Sequence, residues 1–195
     1  MFIKVLDHIQ AWKDAGIPFG HVAINVTGSD FRRGDFVETV FSHLDERGLP
    51  PSCLQIEVTE NVFLGRGADG LEHSLRRLSE HGVRIGLDDF GTGYASLSHL
   101  SKFPVDVLKI DRSFIQRLGQ DIDANAISAT VINLGRSLGM EVVAEGIETA
   151  AQEAQLLTMG CEFGQGFFYC KPLPAAEVGG MFARNDAAGP RRERA

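Results

Sequence analysis

The sequence predicts an α/β fold, a TIM-like (β/α) barrel, and three observations carry that prediction. A helix-like segment that ends in glycine is followed repeatedly by a short apolar strand. The strands are apolar nearly throughout, which is typical of parallel strands that are buried on both faces. The length of each strand–helix unit suits a barrel, although an open doubly wound sheet is also compatible with the pattern.

The predicted elements alternate along the whole chain. Helical spacing of apolar residues is present in residues 33–47, 67–81 and 123–138, and a T-x-x-Q capping box from Thr149 to Gln152 begins a further helix. Glycine just past a helix end suits the left-handed conformation found there. The glycines at these positions are Gly16, Gly48, Gly82, Gly139 and Gly160. The predicted strands lie within HVAINV, LQIEVTE, RIGLDD, VDVLKID, MEVVAEG and CEFGQGF.

Composition and charge describe a globular protein without a general affinity for polyanions. The 195 residues carry a net charge of −7, and 44% of them are hydrophobic. An acidic chain of this kind is not expected to bind a nucleic-acid polymer or an acidic lipid surface. The cysteines lack metal-type spacing, and neither a membrane-length apolar run nor a signal peptide is present. We therefore expect a cytoplasmic protein.

Every predicted strand carries a polar residue near its carboxyl end, where barrel enzymes have their active sites. Side chains alternate across a strand, so Glu57 points into the barrel if Ile56 and Val58 meet the helices. Asp89 begins the turn after Asp88, where the backbone can direct it to the same centre. Any one of these polar residues could be a satisfied core group, but together they favour a site. The polar positions are Asn25, Glu57, Asp88, Lys109, Asp111, Glu145 and Gln165.

An acid-rich ring in a low-dielectric cup needs compensating positive charge. Lys109 supplies one such charge, and divalent cations are the obvious source of more. Carboxylates together with an amide oxygen form a hard ligand set that suits Mg²⁺ or Mn²⁺ better than zinc. The residues alone therefore predict a metal centre at this rim.

Six ordered motifs resemble the EAL-domain cyclic-di-GMP phosphodiesterases of bacterial signalling over about residues 3–182. The motifs are AINV, IEVTE, LDDFGTGYASLSHL, LKIDRSF, VVAEGIE and GQGFFYCKPL. The resemblance implies a TIM-like barrel with one early antiparallel strand. It also implies hydrolysis of one phosphodiester bond of cyclic-di-GMP to the linear dinucleotide pGpG. Two Mg²⁺ or Mn²⁺ ions would stabilise the attacking and leaving oxygens.

The resemblance also implies roles for individual residues. Lys109 is expected to contact the attacking water, with Glu145 beside it as ligand or base, and Glu60 to hold the loop after Asp89. A homodimer through residues 90–102 is a further implication. The implied metal ligands are Asn25, Glu57, Asp88, Asp89 and Glu145. The residues implied to border the substrate pocket are Asp111, Glu148 and Gln165.

Three of these residues have structural alternatives. Glu60 could cap the helix that follows it, and Glu148 could complement the macrodipole of the helix that starts next to it. Asp111 could pair only with Arg112 or Lys109.

The match begins within the family's first helix, so we expect the family's first two strands to be missing from this sequence. About six of eight strands would then be present, the barrel would be incomplete, and the glutamate of the E-A-L triplet, a metal ligand, would be absent. Residues 1–183 would form this domain and residues 184–195 a flexible basic tail. Three functions stay open: a phosphodiesterase, a non-catalytic domain that binds cyclic-di-GMP or a partner protein, and an inactive fragment.

Overall fold

A computed structural model describes residues 2–60, 62, 68–93, 100 and 102–186. Six strands form one sheet in the order β1-β2-β3-β4-β5-β6, and all neighbouring strands run parallel. The strands are β1 (Val22–Asn25), β2 (Leu54–Thr59), β3 (Arg84–Phe90), β4 (Val107–Ile110), β5 (Glu141–Glu145) and β6 (Phe163–Gln165). The sheet is a half-barrel, which confirms the predicted incomplete TIM-like fold, and the implied antiparallel strand is not among these six.

The helices follow the strands as the periodicity predicts. The predicted helices over 67–81 and 123–138 correspond to the helices Ala68–Glu80 and Ile122–Leu138, and the one predicted over 33–47 corresponds to the helix Phe36–Glu46. The helices are α1 (Phe2–Asp14), α2 (Gly28–Arg32), α3 (Phe36–Glu46), α4 (Ala68–Glu80), α5 (Arg112–Ile115), α6 (Ile122–Leu138), α7 (Ala150–Met159) and α8 (Ala175–Asp186). Within the described residues, none of these helices combines the length and apolarity that crossing a lipid bilayer requires.

Two helix ends show why the sequence places glycine and glutamine where it does. Gly139 and Gly160 end α6 and α7 in the left-handed region, with φ of 71° and 86°.

At the start of α7, the Gln152 side-chain oxygen accepts hydrogen bonds from the backbone N–H groups of Glu148 and Thr149, at 2.9 and 3.0 Å. The Gln152 amide nitrogen also donates to the carbonyl of Ile115, at 3.1 Å. One side chain thereby joins the start of α7 to the end of α5.

The two faces of the strands differ in chemistry. On the helix-facing side of β2, Ile56 and Val58 are fully buried in the main hydrophobic cluster. On the opposite side of the same strand lie Gln55 and Glu57, which hydrogen bond to each other. Alternation along β2 therefore places Glu57 on the inward face, as the sequence predicts.

The amino ends of the strands, which we call the base, carry ordinary structural contacts. Arg84 at the start of β3 pairs with Glu141 at the start of β5, at 2.6 Å. The carboxylate of Asp106 accepts a hydrogen bond from the backbone N–H of Ile85, at 2.8 Å. Cys161 lies two residues before β6, and burial raises the pKa of its thiol to about 11. The base is therefore a region of paired charges and an unreactive thiol.

Some predictions fall on the ends of elements or outside the described residues. The strand predicted within CEFGQGF is limited to Phe163–Gln165, and residues 167–169 form a turn. Helix α8 continues to Asp186, beyond the predicted domain end at 183, while 187–195 lie outside the described residues, so the flexible tail stays a prediction. In the predicted dimer segment 90–102, residues 94–99 and 101 also lie outside them.

Candidate metal centre

The carboxyl ends of the strands, which we call the mouth, gather around Lys109 on β4. The Lys109 ammonium nitrogen lies 2.8 Å from Glu57 Oε2, 3.3 Å from Asp88 Oδ1 and 2.6 Å from Glu145 Oε1. Lys109 and Glu57 are each 5% exposed. One buried ammonium group is thus shared by three carboxylates from β2, β3 and β5. This set of four residues is the Lys109 cluster.

Parallel pairing explains why residues so far apart in sequence meet. Lys109 pairs with Val143 across β4 and β5, and Asp88 pairs with Thr59 across β2 and β3. Because the carboxyl ends of parallel strands lie on the same edge, the inward residues near these ends converge. Glu57 lies two strands from Lys109. Its register partner on β3 is Gly86, which pairs on its other side with Val107, two residues before Lys109, and the missing side chain of Gly86 leaves space beside Glu57.

The backbone conformation of Asp89 explains how two consecutive acids at the end of β3 can face the same centre. Successive residues of a regular strand point to opposite faces, so Asp88 and Asp89 would normally diverge. Asp89 instead has φ of 55°, and it is the one non-glycine residue with positive φ in the described part of the chain. With this turn, ligand oxygens of Asp88, Asp89 and Glu145 come to lie within 4.8 Å of one another. These three carboxylates could hold a metal ion, since oxygen ligands across one Mg²⁺ are about 4 Å apart.

The electrostatics of the mouth reflect its excess of acids. Burial alone would lower the pKa of Lys109, but the carboxylates of Glu57 and Glu145 outweigh it and raise that pKa, so the ammonium stays charged. Burial raises the pKa of Glu145, Lys109 opposes this, and the charges of Asp88 and Glu57 add to it. The pKa of Lys109 is raised because several acids surround its ammonium group, whereas the pKa of Glu145 is raised mainly by burial. Electrostatically, the cluster would accept further positive charge.

Asp111 lies beside Asp89 and begins α5. Its side chain caps that helix by accepting a hydrogen bond from the backbone N–H of Ser113, at 2.9 Å. Burial raises the pKa of Asp89, and the neighbouring charges of Asp88 and Asp111 raise it further. For Asp111, burial is outweighed by hydrogen bonds from Ser113 and Asp89, so its pKa is lowered. Asp111 therefore caps α5 and lies close enough to Asp89 for each to shift the pKa of the other, while its role at the substrate pocket stays a prediction.

Glu60 lies just past the end of β2 and reaches the turn that follows Asp89. Its Oε2 accepts a hydrogen bond from the backbone N–H of Gly93, at 2.9 Å, and Glu60 is 3% exposed. A Cβ built on Gly93 would lie 2.7 Å from the same oxygen, so any larger residue there would require the Glu60 carboxylate to shift. Helix α4 begins at Ala68 and residues 61 and 63–67 lie outside the described residues, so the capping alternative for Glu60 stays a prediction. The contact agrees with the loop-holding role that the resemblance implies.

Three of the expected site residues do not join the Lys109 cluster. Asn25 ends β1 opposite Glu57, and Gln165 ends β6 opposite Glu145, but both side chains are exposed. Glu148 is exposed just before α7, where only its backbone N–H is bonded, to Gln152. Across residues 2–60, 62, 68–93, 100 and 102–186, no ion pair or hydrogen bond joins these three side chains to the cluster. The helix-dipole alternative for Glu148 fits its position.

Two residues with a place at the centre received no role from the sequence. Gln55 donates a hydrogen bond from Nε2 to Glu57 Oε1, at 3.1 Å, and Gly86 lies directly beside both. The signal that could have identified Gln55 is the strand period, because it lies two residues before Glu57 and so shares its inward face. Gly86 carries no comparable sequence signal.

The family model described as "EAL domain" matches residues 1–172. The bifunctional diguanylate cyclase/cyclic di-GMP phosphodiesterase MucR of Pseudomonas aeruginosa is 41% identical over 170 residues, which cover 87% of this chain but only 25% of MucR. Its phosphodiesterase, solved as a c-di-GMP complex, superposes with a TM-score of 0.85 at 40% identity, over 90% of this chain and 71% of that one.

Two other solved structures are also similar. The EAL domain of Mycobacterium smegmatis DcpA has a TM-score of 0.88 at 35% identity, over 94% of this chain and 82% of that one. The manganese/cy-diGMP complex of Klebsiella pneumoniae BlrP1 has a TM-score of 0.73 at 33% identity, over 84% and 43% of the two chains.

Proposed function

The chain belongs to the EAL domain family, and from this premise we propose that it is a metal-dependent phosphodiesterase. Its substrate would be cyclic-di-GMP, of which it would hydrolyse one phosphodiester bond to give pGpG in bacterial second-messenger signalling. The observation that supports this most is the Lys109 cluster, with the carboxylates of Asp88, Asp89 and Glu145 within 4.8 Å. Such an excess of partly buried acid has a clear use in binding cations beside a phosphate.

The donor chemistry of the mouth fits divalent cations that prefer oxygen. Asp88, Asp89, Glu145 and Glu57 supply carboxylates, and Asn25 at the end of β1 adds an amide oxygen if its side chain turns inward. Mg²⁺ and Mn²⁺ are the ions that such a set favours. When bound, two such ions would lower the pKa of a coordinated water and neutralise charge on the phosphate.

Lys109 and Glu145 would divide the remaining chemistry between them. Because the neighbouring carboxylates raise the pKa of Lys109, its ammonium group keeps its protons and acts as a donor to the attacking water and to the developing negative charge. The pKa of Glu145 is raised, and its carboxylate lies 2.6 Å from that ammonium, so Glu145 is the better acceptor for a proton of the water.

The surrounding residues would position the substrate. Asp111, Glu148 and Gln165 lie at the ends or starts of elements around the mouth and would border the pocket of the dinucleotide. Glu60 would hold the turn that contains Gly93. Because the net charge is −7, binding of the anionic substrate would depend on the cations and on Lys109. Homodimerisation through residues 90–102 and a cytoplasmic location are further proposals, without a contact among the described residues that decides them.

One assay tests this proposal. The purified chain is incubated with cyclic-di-GMP and Mg²⁺ or Mn²⁺, and linear product and binding are both followed. We expect turnover that Asp88→Asn reduces about 100-fold or more, whereas Asp45→Asn, an exposed acid on α3, leaves it unchanged. Binding without turnover would support the non-catalytic alternative, and neither binding nor turnover would contradict both.

A further inference from the structure

Below the Lys109 cluster, a second side chain on β2 fixes the orientation of Glu57. Gln55 is 4% exposed, and its Nε2 donates to Glu57 Oε1 at 3.1 Å. The other oxygen of Glu57 receives the Lys109 ammonium at 2.8 Å. A carboxylate accepts hydrogen bonds but does not donate them, so the amide must present Nε2 to Glu57. With both oxygens held from different sides, the Glu57 carboxylate cannot rotate freely.

Stability does not explain why Gln55 is buried there. Once Nε2 faces Glu57, Oε1 of Gln55 is left buried without a hydrogen-bond partner among the described residues. An unsatisfied buried acceptor opposes folding, and an unbranched apolar side chain such as methionine would fill the same space without that penalty. The buried, unpaired oxygen of Gln55 therefore lowers the stability of the fold, while the amide nitrogen holds the Glu57 carboxylate in one orientation.

Gly86 makes the arrangement possible. It is the register partner of Glu57 on β3, the strand that lies between β2 and β4. A Cβ at Gly86 would lie 3.1 Å from Gln55 Nε2 and 3.3 Å from Glu57 Cγ, which is closer than side chains normally pack. The missing side chain therefore leaves the space in which both Gln55 and Glu57 lean across β3 toward Lys109.

We propose that Gln55 is a positioning residue that orients the Glu57 carboxylate for the metal centre, and that Gly86 provides the space for this pair. The consequence for turnover rests on the proposed function, whereas the hydrogen bond between Gln55 and Glu57 does not. The role differs from that of a ligand, because Gln55 acts through Glu57. Groups that hold a metal ligand in place commonly affect metal affinity and activity by about 10–100-fold.

Substitution of Gln55 provides the main test. Gln55→Met keeps the length of the side chain and removes the donor, so we expect the Kd for Mn²⁺, measured by titration with electron paramagnetic resonance, to rise about tenfold or more. Turnover of cyclic-di-GMP should fall through kcat by a similar factor, while KM changes little. The matched control is Gln120→Met at an exposed glutamine, which should leave both values unchanged.

Gly86→Ala tests the space rather than the hydrogen bond. Its added methyl group should weaken Mn²⁺ binding a few-fold by displacing Gln55 and Glu57. In a Gln55→Ala background that space is already open, so the same change should have a smaller effect there. Equal effects of Gly86→Ala in both backgrounds would contradict the shared-space part of the proposal.

The outcomes separate this proposal from the proposed function. If the unsubstituted chain binds Mn²⁺ and turns over substrate but Gln55→Met matches it, the positioning role is wrong and the phosphodiesterase function stands. If the unsubstituted chain shows neither activity nor Mn²⁺ binding, the function fails, and hydrogen exchange of the Gln55 side-chain amide decides the inference. Exchange at least about tenfold slower than at Gln120 supports the bond to Glu57, whereas equal exchange rates overturn it.

Discussion

The mouth and the base of the same sheet differ in how their charged side chains are paired and in how far these side chains are exposed. At the base, Arg84 and Glu141 form a one-to-one pair whose side chains are 27% and 44% exposed. At the mouth, one lysine is shared by Glu57, Asp88 and Glu145, and Asp89 adds a further acid. Charges at the base each have a partner and access to water. Charges at the mouth are buried or partly buried and are unbalanced, which is a property of binding sites rather than of stabilising contacts.

Replacement of Lys109, whose ammonium group three carboxylates share, should give the largest difference in activity and stability between the mouth and the base. We expect Lys109→Met to lower kcat about 10³-fold, because the donor to the developing charge is lost. With a chelator present, the free energy of unfolding should also fall by about 3 kcal/mol, because one buried and two partly buried acids lose their partner. Turnover and urea denaturation measure the two effects. Arg84→Met is the control at the base, and equal losses in both variants would contradict the distinction.

The contact between Glu60 and Gly93 should give the next largest effect. Glu60→Ala removes the acceptor for the Gly93 N–H, and Gly93→Ala places a methyl group against the same carboxylate, so both should lower kcat/KM about tenfold. Steady-state kinetics with cyclic-di-GMP measures this. Gly20→Ala is the matched control, because a Cβ there would meet nothing within 4 Å. If Gly93→Ala behaves like Gly20→Ala, the turn does not depend on Glu60.

A smaller effect is expected at Asp89, where substitution should raise the free energy of unfolding and lower the affinity for Mn²⁺. Asp89→Gly relieves a non-glycine residue at φ of 55° and removes one charge from a crowded centre, so the chelated protein should gain about 1 kcal/mol in free energy of unfolding. Mn²⁺ affinity should fall in the same variant. Asp89→Asn removes the charge but keeps the side chain, so it separates the two causes. A loss of stability in Asp89→Gly would show that the turn is not strained.

The smallest effect is expected at the base. In a double-mutant cycle with Arg84→Met and Glu141→Gln, the coupling energy should be below about 1 kcal/mol, because both side chains are partly exposed. Urea denaturation at low and high salt measures this value. A coupling energy above that limit, or one that salt does not reduce, would mean that the base also depends on buried charge.

Much of the mouth was predictable because a strand has a period of two residues. Once Ile56 and Val58 are assigned to the core, Glu57 must point the other way, and parallel pairing brings strand ends to one edge. The same reasoning placed Asn25 and Gln165 at that edge, where their backbones do lie next to Glu57 and Glu145. Their side chains are nevertheless exposed, because β1 and β6 are the outer strands of the sheet that the described residues form, and each has one neighbouring strand there.

What the sequence did not show depends on lateral contacts between strands. The role of Gln55 requires knowing that Glu57 leans over β3, and that in turn requires the space left by Gly86, the register partner of Glu57. Hydrophobic pattern gives the face of a residue but not the direction in which its side chain leans. The functional roles of the mouth residues stay predictions, since they come from the resemblance and not from a bound ligand.

The side chain of Gln152 joins two connections at the mouth, the one after β4 and the one after β5. This hydrogen-bonded link can be lost by a chemical change, because side-chain amides hydrolyse slowly as a protein ages. Conversion of Gln152 to glutamate would keep the acceptor for Glu148 and Thr149 but lose the donor to Ile115, and it would add negative charge beside Glu148. Gln152→Glu should therefore loosen the contact between α5 and α7, while the interior of the sheet stays intact.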